Sequence, residues 1–397
     1  MGPLIFCVCA AELFSITAIM YFPALLPSFQ AEWGLTNTEA GWINGIYYGG
    51  YAVSVPILVG LTDRVDPRRI YLLSATLGAL SMLGFGWLAK GTWTAAAFRL
   101  LAGISFAGTY MPGLKALSER ITGPSQSRAV SFYTSSITVG TALSVFLAGW
   151  LANRFGWRWA AGLMALGPLA AIALFALAIE PRVQTFNLSA RQSFLDFRPA
   201  VHNRQVIGYM LGYAVHCWGL FGFRSWMVAF LFFSLSLQPG TLLQFSPQDI
   251  ATVILLTGVP ASILGNEGAL RWRRRLFITT TMLISGLIGC LIGFSAGLPF
   301  IFVVVLCFLY LISVMADSGS LTAGLVSASP DEGRGRTMGL YSFIGFLMAF
   351  LAPLTVGGVL DAIGGGIYGW GLAFATLGLL EISGPIWLKL FRGDREV

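Results

Sequence analysis

The sequence is poor in charged side chains and in the residues that bind metals or form disulfide bonds. Charged residues make up 10% of the 397 positions, and there are five cysteines and two histidines. All five cysteines lie within apolar runs, so we expect buried free thiols. His216 and Cys217 are adjacent, which is too little for a metal site. These features exclude a disulfide-stabilised secreted domain, and we expect no metal and no other cofactor.

Hydrophobic side chains, in contrast, contribute 56% of the residues. They form runs of about 20 residues, each long enough to cross a bilayer core of roughly 30 Å as a helix. The first run contains Glu12 and lacks a basic flank, so it is interpreted as a retained helix and not a signal peptide. We predict an all-α integral membrane protein with twelve transmembrane helices, at about 3–27, 40–61, 70–89, 93–116, 128–151, 158–180, 206–234, 248–268, 276–297, 299–326, 336–360 and 368–391.

The distribution of basic residues predicts the orientation of the chain. If alternate loops share a side, nineteen basic residues lie on one side, and only Lys90, Arg154 and Arg158 lie on the other. Because basic loops stay in the cytoplasm, both termini are expected there, with the helices in a bacterial inner membrane. The net charge of +7 then reflects this topology and contact with anionic membrane lipids. We expect no nucleic-acid partner.

The chain repeats itself at a constant offset. The stretch "RAVSFYTSSITVGTALSVFLAGWLANRFG" matches "RTMGLYSFIGFLMAFLAPLTVGGVLDAIG", and the matched pairs include Arg128 with Arg336, Tyr133 with Tyr341 and Asn153 with Asp361. Two six-helix halves follow, 1–180 and 206–397, joined by a basic cytoplasmic linker at 181–205. Parallel repeats of this kind are one transporter architecture.

Three stretches resemble one transporter family, the major facilitator superfamily. "GLTDRVDPRR" from Gly60 is similar to its loop between helices 2 and 3, "RLLAGISFAG" from Arg99 to its fourth helix, and "AGWLANRFGWRW" to the end of its fifth. The hairpin departs from the usual form, because Gly60 is one residue closer to Asp63 and Asp66-Pro67 replaces a glycine. The resemblance implies two pseudo-symmetric six-helix bundles and secondary transport by alternating access.

The resemblance also implies a gating role for the hairpin. In that family the loop locks the cytoplasmic side in the outward-open state, and Asp63 is expected at the start of helix 11. The candidate gating residues are Gly60, Asp63, Arg64, Arg68, Arg69 and Arg336. A solvated loop without a gating role is the alternative.

Five ionisable residues lie inside the predicted spans, where each charge costs at least about 2.5 kcal/mol. They are Glu12, Arg99, Arg224, Asp317 and Glu381. The first four lie on helices 1, 4, 7 and 10, which line the central cavity in the resembled family. Glu381 is interpreted as an inter-helix hydrogen bond.

The two arginines are candidate binding sites for an anion. Arg224 lies near an aromatic side chain on its helix, and Arg99 either assists it or is structural and pairs with helix 1 or 2. The candidate substrate contacts are Arg224, Arg99, Tyr47, Tyr133, Trp218, Phe221 and Tyr341. The candidate proton-coupling residues are Glu12, Asp317 and His216. Alternatively, the two acids neutralise the arginines.

These features favour a secondary transporter over an enzyme or a membrane receptor. The sequence has no nucleotide-binding motif, metal cluster or nucleophile–base pair, and the internal repeat favours alternating access. Drug-efflux antiporters of the resembled family carry a Gly-Pro motif in helix 5, which has no proline here. We therefore predict proton-coupled uptake of a small anionic solute by a monomer, loosely like the cyanate and nitrate branches. Proton-coupled efflux of drugs or metabolites is the alternative.

Overall fold

The computed structural model describes residues 2–121, 124–182, 197–238, 244–330 and 334–392. All regular elements within these ranges are helices. Up to residue 182 they are α1 (Gly2–Ser15), α2 (Tyr21–Ala24), α3 (Leu26–Trp33), α4 (Asn37–Leu61), α5 (Pro67–Leu88), α6 (Thr92–Ser118), α7 (Pro124–Met164) and α8 (Leu166–Ala178). From residue 197 they are α9 (Arg198–His202), α10 (Arg204–Ser236), α11 (Pro247–Leu256), α12 (Gly258–Arg271), α13 (Arg274–Ile292), a 3₁₀ helix (Gly293–Gly297), α14 (Phe300–Ala316), α15 (Ser318–Ala328), α16 (Arg334–Ile363) and α17 (Ile367–Leu390).

These helices confirm the predicted all-α membrane fold. Eight helical stretches in the described residues are long and apolar enough to cross a membrane. One of them, Arg128–Ala178, contains both the fifth and the sixth predicted spans. The first, second and fourth predicted spans correspond to α1 to α3, α4 and α6. Within the described residues, helices therefore cover all twelve predicted spans.

Some spans are broken and not single helices. The first is interrupted at residues 16–20, and the tenth at Asp317, between α14 and α15. In the first span the Thr17 hydroxyl donates to the carbonyl oxygen of Phe14, which competes with helical hydrogen bonding. Pro23 has no N–H group to donate to the preceding turn. Breaks of this kind leave backbone carbonyls that only other protein groups can satisfy inside a membrane.

Contacts divide the chain into two units. The first contains Met1–Leu25 and Ile46–Ser193, and the second contains Leu26–Gly45 and Phe194–Val397. The segment Leu26–Gly45 thus packs with helices from the second half of the sequence. Gly45 lies against the backbone of α16 so closely that a Cβ atom would overlap it, which explains a glycine at this position.

Each unit has its own buried core. In the first, side chains from α1, α5, α6, α7 and α8 pack together, and the rings of Tyr71 and Phe175 stack at 3.6 Å. In the second, side chains from α10, α13, α15, α16 and α17 do the same. Tyr133 belongs to the first core and its repeat partner Tyr341 to the second. The cores therefore hold two of the candidate site residues in place.

Candidate functional site

Glu12 is fully buried in the first unit. The Tyr133 hydroxyl donates a hydrogen bond of 2.9 Å to its Oε2 atom, and the Ser15 hydroxyl lies 3.4 Å from the same oxygen. The other oxygen, Oε1, has no hydrogen-bond partner among the described residues. Among these residues, Oε1 has no partner whether the carboxyl group is ionised or protonated. The contacts of Glu12 therefore do not fix its protonation state. This is a suitable arrangement for a group that exchanges a proton.

The Tyr133 hydroxyl also connects Glu12 to α6. It lies 2.9 Å from the carbonyl oxygen of Tyr110 and 3.2 Å from that of Thr109. One phenolic hydrogen cannot serve Glu12 and both carbonyls at once. An ionised Glu12 is the strongest of these acceptors, whereas a protonated Glu12 can donate to Tyr133 and leave the phenolic hydrogen for α6. The charge of Glu12 thus selects between two hydrogen-bond patterns.

Arg99 is a buried cation on α6, with 3% of its surface exposed. Its guanidinium lies 4.4 Å from the centre of the Tyr47 ring, and Nη1 donates a 3.0 Å hydrogen bond to the carbonyl oxygen of Ile19. In a regular helix that carbonyl would accept from residue 23, which is a proline. The Nε and Nη2 atoms of Arg99 have no hydrogen-bond partner in the described part of the chain. The contacts with Ile19 and Tyr47 fit the structural alternative, and the two remaining nitrogens are buried donors that no described residue uses.

His216 and Asp317 form a buried pair in the second unit. The Nδ1 atom of His216 lies 2.7 Å from Oδ1 of Asp317, and each side chain is 2% exposed. Tyr213 stacks on the His216 ring at 5.9 Å and on the Tyr341 ring at 3.8 Å. The Tyr341 hydroxyl is 3.0 Å from that of Thr322. The structure thus brings three predicted site residues, His216, Asp317 and Tyr341, into one cluster.

Arg224 lies further along α10 than His216. Its guanidinium is 5.8 Å from the centre of the Phe221 ring, and Nη2 donates to the Met315 sulfur at 3.6 Å. Trp218 behaves differently, because its indole N–H donates to the carbonyl oxygen of Thr376 on α17 at 3.1 Å. Its polar atom is therefore used in helix packing. Arg224 and Phe221 form the cation–aromatic pair expected from the sequence.

The charged hairpin between α4 and α5 is tied to its own unit. Oδ1 of Asp63 lies 2.6 Å from Nζ of Lys115 on α6. Asp66 caps α5 by accepting from the Arg68 N–H at 3.0 Å, and its other oxygen accepts from the Arg182 N–H at 2.9 Å. The Arg68 side chain donates to a carbonyl oxygen of α8. Of the other predicted gating residues, Gly60 lies on α4, Arg64 and Arg69 are exposed, and Arg336 is in the first turn of α16.

Two sets of contacts had no counterpart in the sequence-based expectations. Lys115 is one, because nothing in its sequence context marks it as the partner of Asp63. The other is Asp361, which caps α4 in the second unit: its carboxylate accepts from the backbone N–H groups of Asn37 and Thr38 at 2.9 and 2.7 Å. It also accepts from their side chains at 2.8 and 2.6 Å. In the sequence, the match of Asp361 with Asn153 in the internal repeat was the one signal that pointed to Asp361.

Membrane-spanning helices that bury arginines, carboxyl groups and a histidine, in two units with matched tyrosines, are the features of a multi-pass membrane protein with functional groups inside the membrane. The sequence profile of the Major Facilitator Superfamily matches residues 8–353. The chain belongs to this family.

The chain is similar to two named relatives and to one solved structure. The chain is 25% identical over 164 residues to a probable sphingolipid transporter, spinster homolog 1, of Arabidopsis thaliana, a match covering 41% of the chain and only 33% of that relative. It is 22% identical to the cis,cis-muconate transport protein of Acinetobacter baylyi over 95% of the chain and 91% of that protein. A crystal structure of a bacterial homologue of the human lysosomal transporter Spinster, inward-facing and unoccupied, has a TM-score of 0.74 at 15% identity, covering 98% of this chain and 94% of that one. At this identity the structure supports the fold alone.

Proposed function

We propose that this chain takes up a small organic anion, a carboxylate, together with protons across the inner membrane of a bacterium. Uptake proceeds by alternating access of two bundles, 1–180 and 206–397, joined by a cytoplasmic linker at 181–205, part of which lies outside the described residues. Both termini are cytoplasmic, and the transporter acts as a monomer surrounded by membrane lipids. The cyanate and nitrate branches stay the loose analogy that the sequence suggested.

The observation that carries the proposal is the buried guanidinium of Arg99. It keeps two hydrogen-bonding nitrogens without a partner among the described residues, although burying an unpaired charged donor in a membrane is costly. A carboxylate would accept from both nitrogens, because its two oxygens match the spacing of a guanidinium fork. The pairing of Arg224 with Phe221 supports a second candidate anion contact, within the second unit.

The acids supply the proposed link to protons. Ionised Glu12 places a negative charge in the unit that holds Arg99, and ionised Asp317 does the same in the unit that holds Arg224. Protonation removes that charge and so favours the entry of an anion. By reciprocity, the bound anion raises proton affinity by the same factor. A proton and an anion then cross together.

A carboxylate is the favoured cargo class for a second reason. The relative that matches 95% of this chain is named for cis,cis-muconate, a dicarboxylate. We therefore choose muconate as the probe, while the cargo itself is proposed only as an organic carboxylate. Tyr47 and Tyr133 in the first unit, and Trp218, Phe221 and Tyr341 in the second, are the proposed contacts of each unit with the cargo.

Proteoliposomes containing the purified full chain test this proposal with labelled cis,cis-muconate. An acidic outside should increase uptake severalfold, and a proton ionophore should abolish the increase. Arg99→Gln should weaken muconate binding at least tenfold. Arg154→Gln is the matched control, because Arg154 also lies 4.4 Å from an aromatic ring, that of Trp150, but at an exposed position. Muconate binding unaffected by Arg99→Gln would contradict the proposal, and proton-driven export would favour the efflux antiporter.

A further inference from the structure

We propose that Glu381 is a second proton-exchanging carboxyl group of the second unit, and that it ionises in alternation with Asp317. This extends the proposed proton coupling to a residue on α17 that the mechanism above does not use. It rests on that mechanism only for its role in transport, because proton exchange at Glu381 can be measured without any cargo.

The contacts of Glu381 repeat those of Glu12 in the other unit. Glu381 is 1% exposed, and the Tyr310 hydroxyl donates a hydrogen bond of 3.0 Å to its Oε1 atom. The Ser285 hydroxyl interacts with the same carboxyl group. Oε2 has no hydrogen-bond partner among the described residues. As at Glu12, a tyrosine hydroxyl donates to one oxygen of the carboxyl group, while the other oxygen has no partner among the described residues. A purely structural carboxyl group would be expected to use both oxygens.

Glycine at position 219 brings this carboxyl group onto the backbone of α10. A Cβ atom at Gly219 would overlap the Oε1 atom of Glu381. Gly219 lies three residues after His216, which is one helical turn and about 4.5 Å along the axis. His216 contacts Asp317 directly. These two buried acids of the second unit therefore approach the same part of α10, Asp317 through His216 and Glu381 at Gly219.

The groups that surround Glu381 do not neutralise it. Tyr310 from α14 donates a hydrogen bond to it. The hydroxyl of Ser285, on α13, donates to the carbonyl oxygen of Met282. The titratable groups that interact with Glu381 electrostatically include Cys290 from α13 and Asp317. The buried groups of α10 that can carry a positive charge are His216, which faces Asp317, and Arg224, five residues beyond Gly219. On α16, the Tyr341 ring stacks on Tyr213, and the 3₁₀ helix has no titratable side chain.

Glu381 and Asp317 interact electrostatically, and two interacting carboxylates in an apolar interior do not ionise independently. His216 can compensate one negative charge at a time. Loss of a proton from Asp317 therefore makes loss of a proton from Glu381 less favourable, and the reverse also holds. The second unit thus carries one exchangeable charge over two sites, so that a proton can move between Glu381 on α17 and the His216–Asp317 pair without a change in net charge.

Infrared difference spectra of the full chain in lipid vesicles, recorded over a pH series, test this inference. The carbonyl stretch of a protonated carboxyl group reports each buried acid. Glu381→Gln should remove one pH-dependent band. Tyr310→Phe keeps the carboxyl group but removes its hydrogen bond, so it should shift the same band. Glu267→Gln, at an exposed acid of the same unit, should leave this band unchanged.

The alternation is tested by the Asp317 band, which Asp317→Asn identifies. In Glu381→Gln the midpoint of this band should move by about one pH unit, a tenfold change in proton affinity.

A Glu381→Gln spectrum that matches the wild type throughout the series would show that Glu381 never exchanges its proton, and the inference would be wrong. An unchanged Asp317 midpoint would overturn the alternation. If Glu381→Gln does not fold, the band that shifts in Tyr310→Phe identifies Glu381 instead. Proton exchange at Glu381 is then overturned if that band does not change with pH. These outcomes are separate from those of the muconate experiment, because Arg99 and the direction of transport do not affect them.

Discussion

The Tyr133 hydroxyl lies 2.9 Å from Oε2 of Glu12. The same hydroxyl is within hydrogen-bond distance of two carbonyl oxygens of α6, the helix that carries Arg99. A change in the charge of Glu12 therefore reaches α6 through one phenolic group. In this unit, the Tyr133 hydroxyl can donate its hydrogen either to Glu12, the proposed proton site, or to the helix that carries Arg99, the proposed anion site.

Tyr133→Phe is expected to separate binding from proton coupling. Removing the hydroxyl leaves Oε2 of Glu12 without its donor, at a cost of about 1–2 kcal/mol. This corresponds to roughly a tenfold change in the proton affinity of Glu12. The pH dependence of muconate uptake should shift by about one pH unit, while muconate binding at a fixed acidic pH stays within about threefold of wild type. Tyr368→Phe, at an exposed tyrosine, should change neither. An unaltered pH profile in Tyr133→Phe would remove Tyr133 from the mechanism.

The spans and the buried charges followed from the sequence because hydropathy and the cost of intramembrane charge act locally. The partners of those charges did not follow, because they depend on helix rotation and on helix breaks. Arg99 contacts the carbonyl oxygen of Ile19, which lies at the interruption of the first span near residues 16–20 and cannot accept from Pro23. Asp317 pairs with a histidine, although neutralisation of an arginine was the alternative expected for it. The position of Glu381 depends on the glycine at position 219. A hydropathy pattern does not show that another side chain lies against this glycine.

The hairpin prediction separates gating from stability. Asp63 and Lys115 are 73% and 30% exposed, and an exposed pair of this kind contributes at most about 1 kcal/mol to stability. Asp63→Asn should therefore leave thermal unfolding almost unchanged but slow muconate uptake severalfold. Exchanging the charges, Asp63→Lys with Lys115→Asp, should restore part of the rate. Glu119→Gln is the control, because Glu119 is 4.0 Å from the same lysine. Wild-type uptake in Asp63→Asn would identify the hairpin as a solvated loop.

The cap at Asp361 predicts a local change at the start of α4. Asp361→Ala removes all four hydrogen bonds to Asn37 and Thr38, and losing an N-terminal cap costs about 1 kcal/mol. Hydrogen–deuterium exchange at the amides of these two residues should become about fivefold faster. Asp249→Ala, which removes the capping box of α11, should leave exchange at α4 unchanged. Equal exchange in wild type and Asp361→Ala would show that the cap does not hold α4.

The proposed orientation predicts which surface positions a membrane-impermeant thiol reagent can reach. Cysteines introduced at Arg273, or at Arg191 outside the described residues, should react only from the cytoplasmic side. Cysteines at Glu32 and Gln244 should react only from the outside. The native cysteines, among them the buried Cys217 and Cys307, give a low background, and the unmodified chain measures it. Labelling of Gln244 from the cytoplasm would overturn both the orientation and the count of twelve spans.

Arg224 is expected to recognise the anion by shape as well as by charge. A lysine at this position keeps the positive charge but cannot donate two parallel hydrogen bonds to a carboxylate. Arg224→Lys should therefore weaken muconate binding at least tenfold, which corresponds to about 1.4 kcal/mol, and the loss should appear equally at acidic and neutral pH. Arg275→Lys is the matched control, since Arg275 lies 5.6 Å from the Tyr209 ring, close to the 5.8 Å between Arg224 and Phe221. Full muconate affinity in Arg224→Lys would show that Arg224 contributes only its positive charge. Full affinity in Arg224→Ala would show that Arg224 does not contact the anion.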